Sequence, residues 1–271
     1  MKAQKAVKDL KEQLEKAGIE DSSLEAELLT RHAGNLTRVE FYAGADLVTK
    51  ELESLHGFAS RRLKNEPSAY ILGTREFYGM KFQVSPAVLI PRPETELLVQ
   101  LVSREIHDND TVIDIGTGSG CIAIPLFGQT SRSKIIGTDI STLALQQAQK
   151  NAVKHNTEIS FIRSHLASSI RIADIIVANL PYIPTNELAK LPKEIKNWEP
   201  IHALNGGHTG IELLSELISD CGQRLKPRLI ALEVGFGQAK NVARLLEKQD
   251  ASTEIHQDLA GIERVVVGRW S

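Results

Sequence analysis

Five short apolar runs separated by helical stretches occupy the chain after residue 110, and this alternation limits the fold more than any other feature. The runs are TVIDIG (111–116), KIIGTD (134–139), ISFIRS (159–164), ADIIVANL (173–180) and LIALEV (229–234). Near-continuous apolar strands indicate a sheet covered on both faces, and helices between them supply the crossovers that parallel strands require. The sequence therefore predicts an α/β fold built on a mostly parallel sheet.

The end of the chain departs from this alternation. Two strand-like runs in TEIHQDLAGIERVVVGRW (253–270) flank Gly261 with no helix between them. Strands joined by a short turn pair antiparallel. We therefore expect a seven-stranded sheet whose last strand is antiparallel.

The first part of the chain has a different pattern of apolar residues. Residues 1–65 show helical spacing without strand-like alternation, as in Val7, Leu10 and Leu14, and a third helix is predicted from about Leu47 to Leu63. The stretch 75–96 then predicts a β-hairpin and a proline-rich loop that leads into a helix. We expect an N-terminal helical bundle (1–72), a hairpin linker (73–92) and a larger α/β domain (93–271).

Composition excludes several classes of protein. The 271 residues carry a formal net charge of −2, which gives no general attraction to nucleic acid or to an anionic membrane. The apolar runs are far too short to span a bilayer, and the charged N-terminal stretch has no signal-peptide core. Two cysteines are too few for a disulfide framework. We expect a cytoplasmic protein that contacts neither membrane nor nucleic acid directly.

A glycine-rich loop, DIGTGSG (114–120), follows the first strand of the sheet and is predicted to open a helix. Glycines at 116, 118 and 120 allow a tight turn and close approach to a ligand. The spacing differs from the G-x-G-x-x-G of dinucleotide binding, and no P-loop lysine follows. Asp139 ends the next strand, where a carboxylate can accept both hydroxyls of a ribose, although capping the following helix is an alternative role.

A second unusual segment is VANLPYIPT (177–185), where a core strand stops on Asn179, Leu180, Pro181 and Tyr182. An ordinary turn would explain it. A pocket for a planar polar group explains it better, because the Asn179 oxygen and the Leu180 carbonyl can accept the two hydrogens of an amide. Pro181 would fix the backbone and Tyr182 would close the slot with its ring.

The combination of D-x-G-x-G-x-G, an acid closing the second strand and Asn-x-Pro-Tyr closing the fourth resembles class I S-adenosylmethionine-dependent methyltransferases, in particular those that act on planar nitrogen. Over about residues 65–270 the chain closely resembles the HemK/PrmC family of release factor glutamine N5-methyltransferases. The segments that carry this resemblance are YILGTREFYGMKFQVSPAVLIPRPETELLV (70–99), GTGSGCIAI (116–124), WEPIHALNGGHTG (198–210) and LEVGFGQ (232–238).

The resemblance implies methyl transfer from S-adenosyl-L-methionine, leaving S-adenosyl-L-homocysteine, to the glutamine amide nitrogen of the Gly-Gly-Gln motif in peptide release factors. The helical N-terminus would dock the factor, and the enzyme would act as a monomer. Asn179, Pro181 and Tyr182 would be catalytic, and with Leu180, where the family usually has proline, they would bind the glutamine. The implied cofactor-binding residues are Asp114, Gly116, Thr117, Gly118, Ser119, Gly120, Asp139, Ile140, Leu166 and Asn179.

Other readings stay open at this stage. His165 stands where the family commonly has an acid that helps to hold the adenosine, and a surface histidine is an equal alternative there. PRPETE (91–96) either borders the active site or only caps a helix. We expect no metal, because no His, Cys or carboxylate cluster has metal-ligand spacing.

Four further functions compete with the main prediction. An amino methyltransferase of nucleic acid bases would use the same slot, but such enzymes tend to carry a basic groove, and the sequence pI is about 6.5. A glutamine methyltransferase of a ribosomal protein would need the same chemistry. A non-catalytic binding module and a dinucleotide-dependent oxidoreductase belong to other classes, and the glycine spacing disfavours the last of these.

Overall fold

The computed structural model describes residues 1–129 and 132–270, which form two compact units. One unit contains Met1–Thr74 together with Pro192–Trp198. The other contains Arg75–Leu191 and the chain from Glu199 onward. None of the helices in the described ranges has the length and apolarity needed to cross a membrane.

The first unit is a helical bundle, as predicted. Its helices are α1 (Ala3–Lys16), α2 (Ser22–Ala33), α3 (Arg38–Tyr42), α4 (Thr49–Arg62) and α5 (Ser68–Leu72), joined by α9 (Lys193–Trp198) from the later segment. Leu10, Leu14, Leu29 and Leu55 are buried in its core. The sequence did not reveal α3 and α5, because five residues are too few to show helical periodicity.

A two-stranded hairpin opens the second unit. It consists of β1 (Thr74–Phe77) and β2 (Met80–Gln83), and the turn places Tyr78 and Gly79 at positive φ, +50° and +68°. The predicted hairpin is therefore present. Phe77 and Phe82 are fully buried and pack edge to face against each other.

The seven-stranded sheet has the order β5-β4-β3-β6-β7-β9-β8. Its strands are β3 (Thr111–Ile115), β4 (Lys134–Asp139), β5 (Ser160–Arg163), β6 (Ile175–Ala178), β7 (Leu229–Glu233), β8 (Ser252–Gln257) and β9 (Glu263–Arg269). The first five pair parallel, whereas β9 runs antiparallel between β7 and β8. This confirms the mostly parallel sheet with an antiparallel last strand.

Helices cover both faces of the sheet. They are α6 (Thr95–Ser103), α7 (Ala123–Leu126), α8 (Thr142–Lys154), α10 (Glu212–Asp220) and α11 (Ala239–Glu247). In β6, Ile176 packs in the core beneath α10 and α11, whereas Val177 packs in the core beneath α6 and α7. Burial on both faces is the physical reason that this strand is continuously apolar.

Two helices of this unit end where local backbone conformation changes. The glycine-rich loop opens only the four-residue α7, because Phe127 is extended and Gly128 has φ +80°. Residues 211–225 have a helical pattern in the sequence, but α10 ends at Asp220 and the chain continues as a π-helical turn, Cys221–Leu225. Lys226 at φ +45° then ends that turn.

Candidate active site

The register of the central strands aligns four predicted or charged positions along one edge of the sheet. Ile115 of β3 pairs with Thr138 of β4 and with Ala178 of β6, and Ala178 pairs in turn with Leu232 of β7. The next residue of each strand therefore lies at the same carboxyl edge; these residues are Gly116, Asp139, Asn179 and Glu233. In open α/β sheets this edge, where the strand order reverses, is where ligands bind.

A cavity of about 240 Å³ opens over this edge. Ten of the predicted site residues line it: Gly116, Thr117, Gly118, Ser119, Asp139, Ile140, Leu166, Asn179, Leu180 and Pro181. Asp114, Gly120 and Tyr182 are not among the lining residues. The structure thus brings together the glycine-rich loop, the end of β4 and most of the segment after β6.

The glycine-rich loop needs its glycines for two physical reasons. Gly116 has φ +74°, and a Cβ at this position would come within 3.1 Å of Leu180 Cδ2. Gly118 has φ +55°, and its N–H donates to Asp139 Oδ2 (3.0 Å). Gly120 has φ +80°, and a Cβ there would lie 3.0 Å from Ile124 Cδ1, so it serves packing at the start of α7 rather than the cavity.

Asp139 keeps acceptor capacity toward the cavity. Its Oδ1 accepts from the Ser141 N–H (2.8 Å) and its Oδ2 from Gly118, which leaves further lone pairs on both oxygens. The side chain that caps α8 is that of Ser141, whose Oγ accepts from the Ala144 N–H (3.2 Å). A partly exposed carboxylate beside a glycine loop with no Cβ in the way fits the ribose and the close backbone approach of S-adenosylmethionine.

Asp114 supports the loop from below. It is fully buried, and its Oδ2 accepts from Thr117 Oγ1 (2.7 Å) and from the Ala123 N–H (3.2 Å). Burial raises the pKa of this carboxyl to about 7, although both hydrogen bonds lower it. Its hydrogen bonds therefore stabilise the conformation of the loop that follows β3.

Apolar side chains border the far side of the cavity. Ile140 is 54% exposed there, and Leu166 has the left-handed φ of +45° that a leucine rarely adopts. Such surfaces suit the face of a purine. His165 also lines the cavity, and its Nδ1 lies 3.4 Å from Oε1 of the exposed Glu216.

Asn179 is held by a residue that the sequence left ambiguous. Its Nδ2 donates to Thr95 Oγ1 (3.0 Å), and Thr95, in the first turn of α6, is only 2% exposed. This bond occupies the amino end of the Asn179 amide and leaves its oxygen for the cavity. Thr95 therefore belongs to the site, and PRPETE does more than cap a helix.

Leu180 and Tyr182 hold the segment after β6 in different ways. Leu180 is 4% exposed and packs its side chain in the core beneath Gly116. The main-chain carbonyl of Tyr182 accepts from Gln238 Nε2 (2.9 Å). Burial, reinforced by the Glu233 carboxyl, raises the pKa of the Tyr182 phenol to about 12, so this residue stays neutral.

The glycines of ALNGGHTG (203–210) allow the segment after β6 to pack closely against them. A Cβ at Gly206 would come within 2.6 Å of the Pro181 carbonyl oxygen, and one at Gly210 within 2.3 Å of the Tyr182 carbonyl oxygen. Main-chain bonds from Ile183 to Leu204 (3.1 Å) and from Gly206 to Ile183 (2.9 Å) fix the contact. Only glycine permits this approach.

Sequence reasoning did not anticipate two buried carboxylates of the site. Glu199 is joined to the PRPETE loop, since its Oε1 lies 2.5 Å from Arg92 Nη2 and its Oε2 accepts from the Ile90 N–H (3.2 Å). Glu233 is 2% exposed at the end of β7. An acid that closes an apolar strand was the available signal, since the same pattern singled out Asp139.

Neither a reactive cysteine nor a metal-binding cluster is found at this site among the described residues. Cys121 lines the cavity, and burial raises the pKa of its thiol to about 12, which leaves no thiolate for covalent catalysis. In residues 1–129 and 132–270, no three His, Cys, Asp or Glu side chains are grouped as a metal site requires.

Comparison with known proteins agrees with this geometry. A family model described as the PrmC N-terminal domain matches residues 5–73, and one described as ribosomal protein L11 methyltransferase (PrmA) matches residues 92–206. A release factor glutamine methyltransferase of Geobacter sulfurreducens is 38% identical over 264 residues, covering 94% of this chain and 92% of that relative. The chain belongs to the release factor glutamine methyltransferase family.

Solved structures share the fold of this family member at low identity. An E. cuniculi complex described as responsible for methylation of the eRF1 translation termination factor aligns with a TM-score of 0.50 and 22% identity, covering 68% of this chain and 99% of that one. The human Mettl16 catalytic domain, solved with an RNA hairpin, aligns with a TM-score of 0.60 and 18% identity, covering 77% and 84%. These likenesses concern the fold of the methyltransferase unit.

Proposed function

We propose that this protein transfers the methyl group of S-adenosylmethionine to the side-chain amide nitrogen of the glutamine in the Gly-Gly-Gln motif of peptide release factors. The observation that carries the proposal is the Asn179 amide, held by Thr95 at the carboxyl end of β6 and lining the cavity beside the glycine-rich loop. Family membership supports the substrate class.

The cofactor would occupy the cavity between the glycine-rich loop and the end of β4. When bound, S-adenosylmethionine supplies a methyl group on a positively charged sulfur, and its transfer leaves S-adenosyl-L-homocysteine. Gly116 and Gly118 admit the backbone close to it, and the free lone pairs of Asp139 accept from the ribose. Ile140 and Leu166, which line the cavity, would cover the purine.

The substrate amide would lie against the segment after β6. An amide nitrogen is a weak nucleophile because its lone pair is delocalised into the carbonyl. Asn179 Oδ1 and the Leu180 carbonyl accept its two N–H groups, which orients the nitrogen and favours charge developing on it. Tyr182 stays neutral and does not line the cavity, so it supplies no base to the substrate. The close packing of Pro181 against Gly206 keeps these groups in place.

The substrate is a protein rather than a nucleic acid in this proposal. The net charge of −2 supports it, because a groove for nucleic acid would need an excess of basic residues. The helical residues 1–72 would dock the release factor; the model of the PrmC N-terminal domain matches residues 5–73. The protein would act as a monomer in the cytoplasm.

Incubation with radiolabelled S-adenosylmethionine and purified release factor tests the proposal. We expect label on the intact factor and none on a factor whose Gly-Gly-Gln glutamine is replaced, with mass spectrometry locating the methyl group. Undiminished labelling of the glutamine-less factor would overturn the assignment. Label on ribosomal protein or on nucleic acid, with none on release factor, would favour one of the competing substrates.

The role of Asn179 has a separate test. We expect Asn179→Ala to lower the transfer rate by roughly 100-fold or more. Binding of S-adenosylmethionine, followed by calorimetry, should be only weakened. Asn241→Ala, at an exposed position of α11, is the matched control and should transfer methyl normally.

A further inference from the structure

Glu233 is a buried carboxyl for which packing alone gives no reason. All five residues of β7 are buried, and the other four are apolar. Glu233 is 2% exposed, and its Oε2 has no hydrogen-bond partner in the part of the chain that the structure describes. Burying a carboxylate in such a place costs free energy of folding unless neighbouring groups donate hydrogen bonds to it or carry a compensating charge.

Those neighbours are the two residues that hold the substrate slot. Glu233 lies beside Asn179 at the ends of paired strands, one position beyond the pair Ala178 and Leu232. Thr95 and Asn179 also lie close enough to the Glu233 carboxyl for each to lower its pKa. Asn179 Nδ2 in addition donates to Thr95 Oγ1 (3.0 Å).

The direction of these bonds follows from the chemistry of the groups. Thr95 Oγ1 accepts from Asn179, so the Thr95 hydroxyl keeps its own hydrogen for another acceptor, and an ionised Glu233 beside it can only accept. The Asn179 NH₂ group can meet both partners because it has two hydrogens. A flipped Asn179 would place its oxygen against a carboxylate oxygen, which is repulsive.

Orientation matters because the two ends of an asparagine amide have the same size but opposite hydrogen-bonding character. The oxygen can accept from a substrate N–H, whereas the NH₂ group cannot. We propose that Glu233, acting directly and through Thr95, is a positioning residue that orients the Asn179 amide with its oxygen toward the substrate. This inference rests on the proposed function, since it assigns the orientation that an amide substrate needs.

The charges around Glu233 determine when it is ionised. Burial raises the pKa of its carboxyl to about 7; Thr95, Arg264 and Asn179 lower it, whereas Glu94 raises it. Tyr182 and Cys121 also lie within its electrostatic reach, and both stay neutral near pH 7. Above about pH 7 the ionised Glu233 carboxylate favours one orientation of the Asn179 amide. Below about pH 7 the protonated carboxyl can donate a hydrogen bond, so it no longer disfavours the flipped amide.

The first test is the pH profile of single-turnover methyl transfer to a release factor. In the wild-type protein we expect the rate to rise through about pH 7. Glu233→Gln, which has the same shape but carries NH₂ donors, should lower the rate at pH 8 by roughly 10- to 100-fold and should lose the rise. Affinity for S-adenosylmethionine should be unchanged. Glu254→Gln, an exposed residue of β8, is the matched control.

The hydroxyl of Thr95 is tested by a conservative pair. Thr95→Ser keeps the hydroxyl and should retain most of the rate, whereas Thr95→Val keeps the shape and should lose about as much as Glu233→Gln. Equal rates for the serine and valine variants, or an unaltered pH profile in Glu233→Gln, would overturn the inference while the proposed function stands. Thermal unfolding of each variant checks that the fold persists.

A readout without substrate separates the inference from the proposed function. The side-chain NH₂ signals of Asn179 in a nitrogen-15 NMR spectrum, assigned by their loss in Asn179→Asp, should shift with a midpoint near pH 7 in the wild-type protein. They should not titrate in Glu233→Gln. Absence of this titration in the wild-type protein would contradict the positioning role, even if the release factor is labelled. A wild-type protein that titrates but does not label the factor would contradict the function alone.

Discussion

Arg92 Nη2 lies 2.5 Å from Oε1 of Glu199, and this ion pair joins segments that are 107 positions apart in the sequence. Glu199 is 2% exposed at its side chain, and Arg92 lines the cavity. Because the second Glu199 oxygen accepts from the Ile90 N–H, one carboxylate fixes the whole loop that precedes α6. Two of the four segments that carry the family resemblance, 70–99 and 198–210, are thus joined by this carboxylate.

Removal of this carboxylate should loosen that loop. Glu199→Ala leaves Arg92 and the Ile90 N–H without their partner, so we expect the free energy of unfolding to fall by about 2 kcal/mol or more. Urea unfolding measures it. Glu254→Ala breaks an exposed pair with Arg269 and should cost less than about 1 kcal/mol. Equal losses in the two variants would contradict the structural role of Glu199.

Gly116 should not tolerate a side chain. Gly116→Ala places a Cβ at φ +74° and 3.1 Å from Leu180 Cδ2, and we expect it to lower the free energy of unfolding by about 1–2 kcal/mol and to weaken binding of S-adenosylmethionine. Gly57→Ala in α4, where a Cβ meets nothing within 4 Å, should instead stabilise by about 0.5–1 kcal/mol. Chemical denaturation of both variants checks the opposite signs.

Asp139 and Ser141 separate ligand binding from helix capping. Asp139→Asn removes the charge and one acceptor at the cavity, so we expect the Kd for S-adenosylmethionine to rise by roughly tenfold or more. Ser141→Ala removes the cap of α8 and should cost about 1 kcal/mol of stability with little change in this Kd. Calorimetric titration and thermal unfolding of both variants measure the two effects. A Kd left unchanged by Asp139→Asn would argue that Asp139 only shapes the loop.

Stability should depend on pH through the buried carboxyls. Burial raises the pKa of Asp114 from 3.8 to about 7, so the folded state binds a proton more tightly than the unfolded state does. The stabilisation is complete below about pH 4 and is lost as the pH rises to 7, which makes the free energy of unfolding fall between pH 5 and 7.5. Asp114→Asn should reduce this fall by about half in urea unfolding, because Glu233, whose pKa burial also raises to about 7, still contributes to it. An identical slope in the variant would show that Asp114 does not titrate in this range.

Much of the fold could be predicted because its signals are local. The apolar runs of β3, β4 and β7 agree with the observed strands to within one residue. Burial of such strands on both faces requires apolar residues at every position, so one segment carries the information by itself. The short helix α3 was missed and no length could be predicted for the four-residue α7, since neighbouring turns decide where such helices end.

The residues of the candidate site likewise fall into those that the sequence predicts and those that it does not. Gly116, Asp139 and Asn179 follow predicted strands directly, and the carboxyl ends of parallel strands necessarily share one edge of the sheet. Glu233 ends a strand in the same manner, but nothing local tells a site carboxyl from a capping one. Tyr182 has the expected place in the chain, whereas only the packing of its neighbours shows that it does not line the cavity.

The sequence by itself therefore determined the class of fold, the edge of the sheet that carries the site and the residues that end its strands, because periodicity and residue type act over a few positions. The tertiary structure decided which groups meet there. Thr95 reaches Asn179 across 84 positions, and Arg92 reaches Glu199 across 107. Hydrogen bonds depend on distance and direction in space, and these follow only when the sheet and its helices have packed.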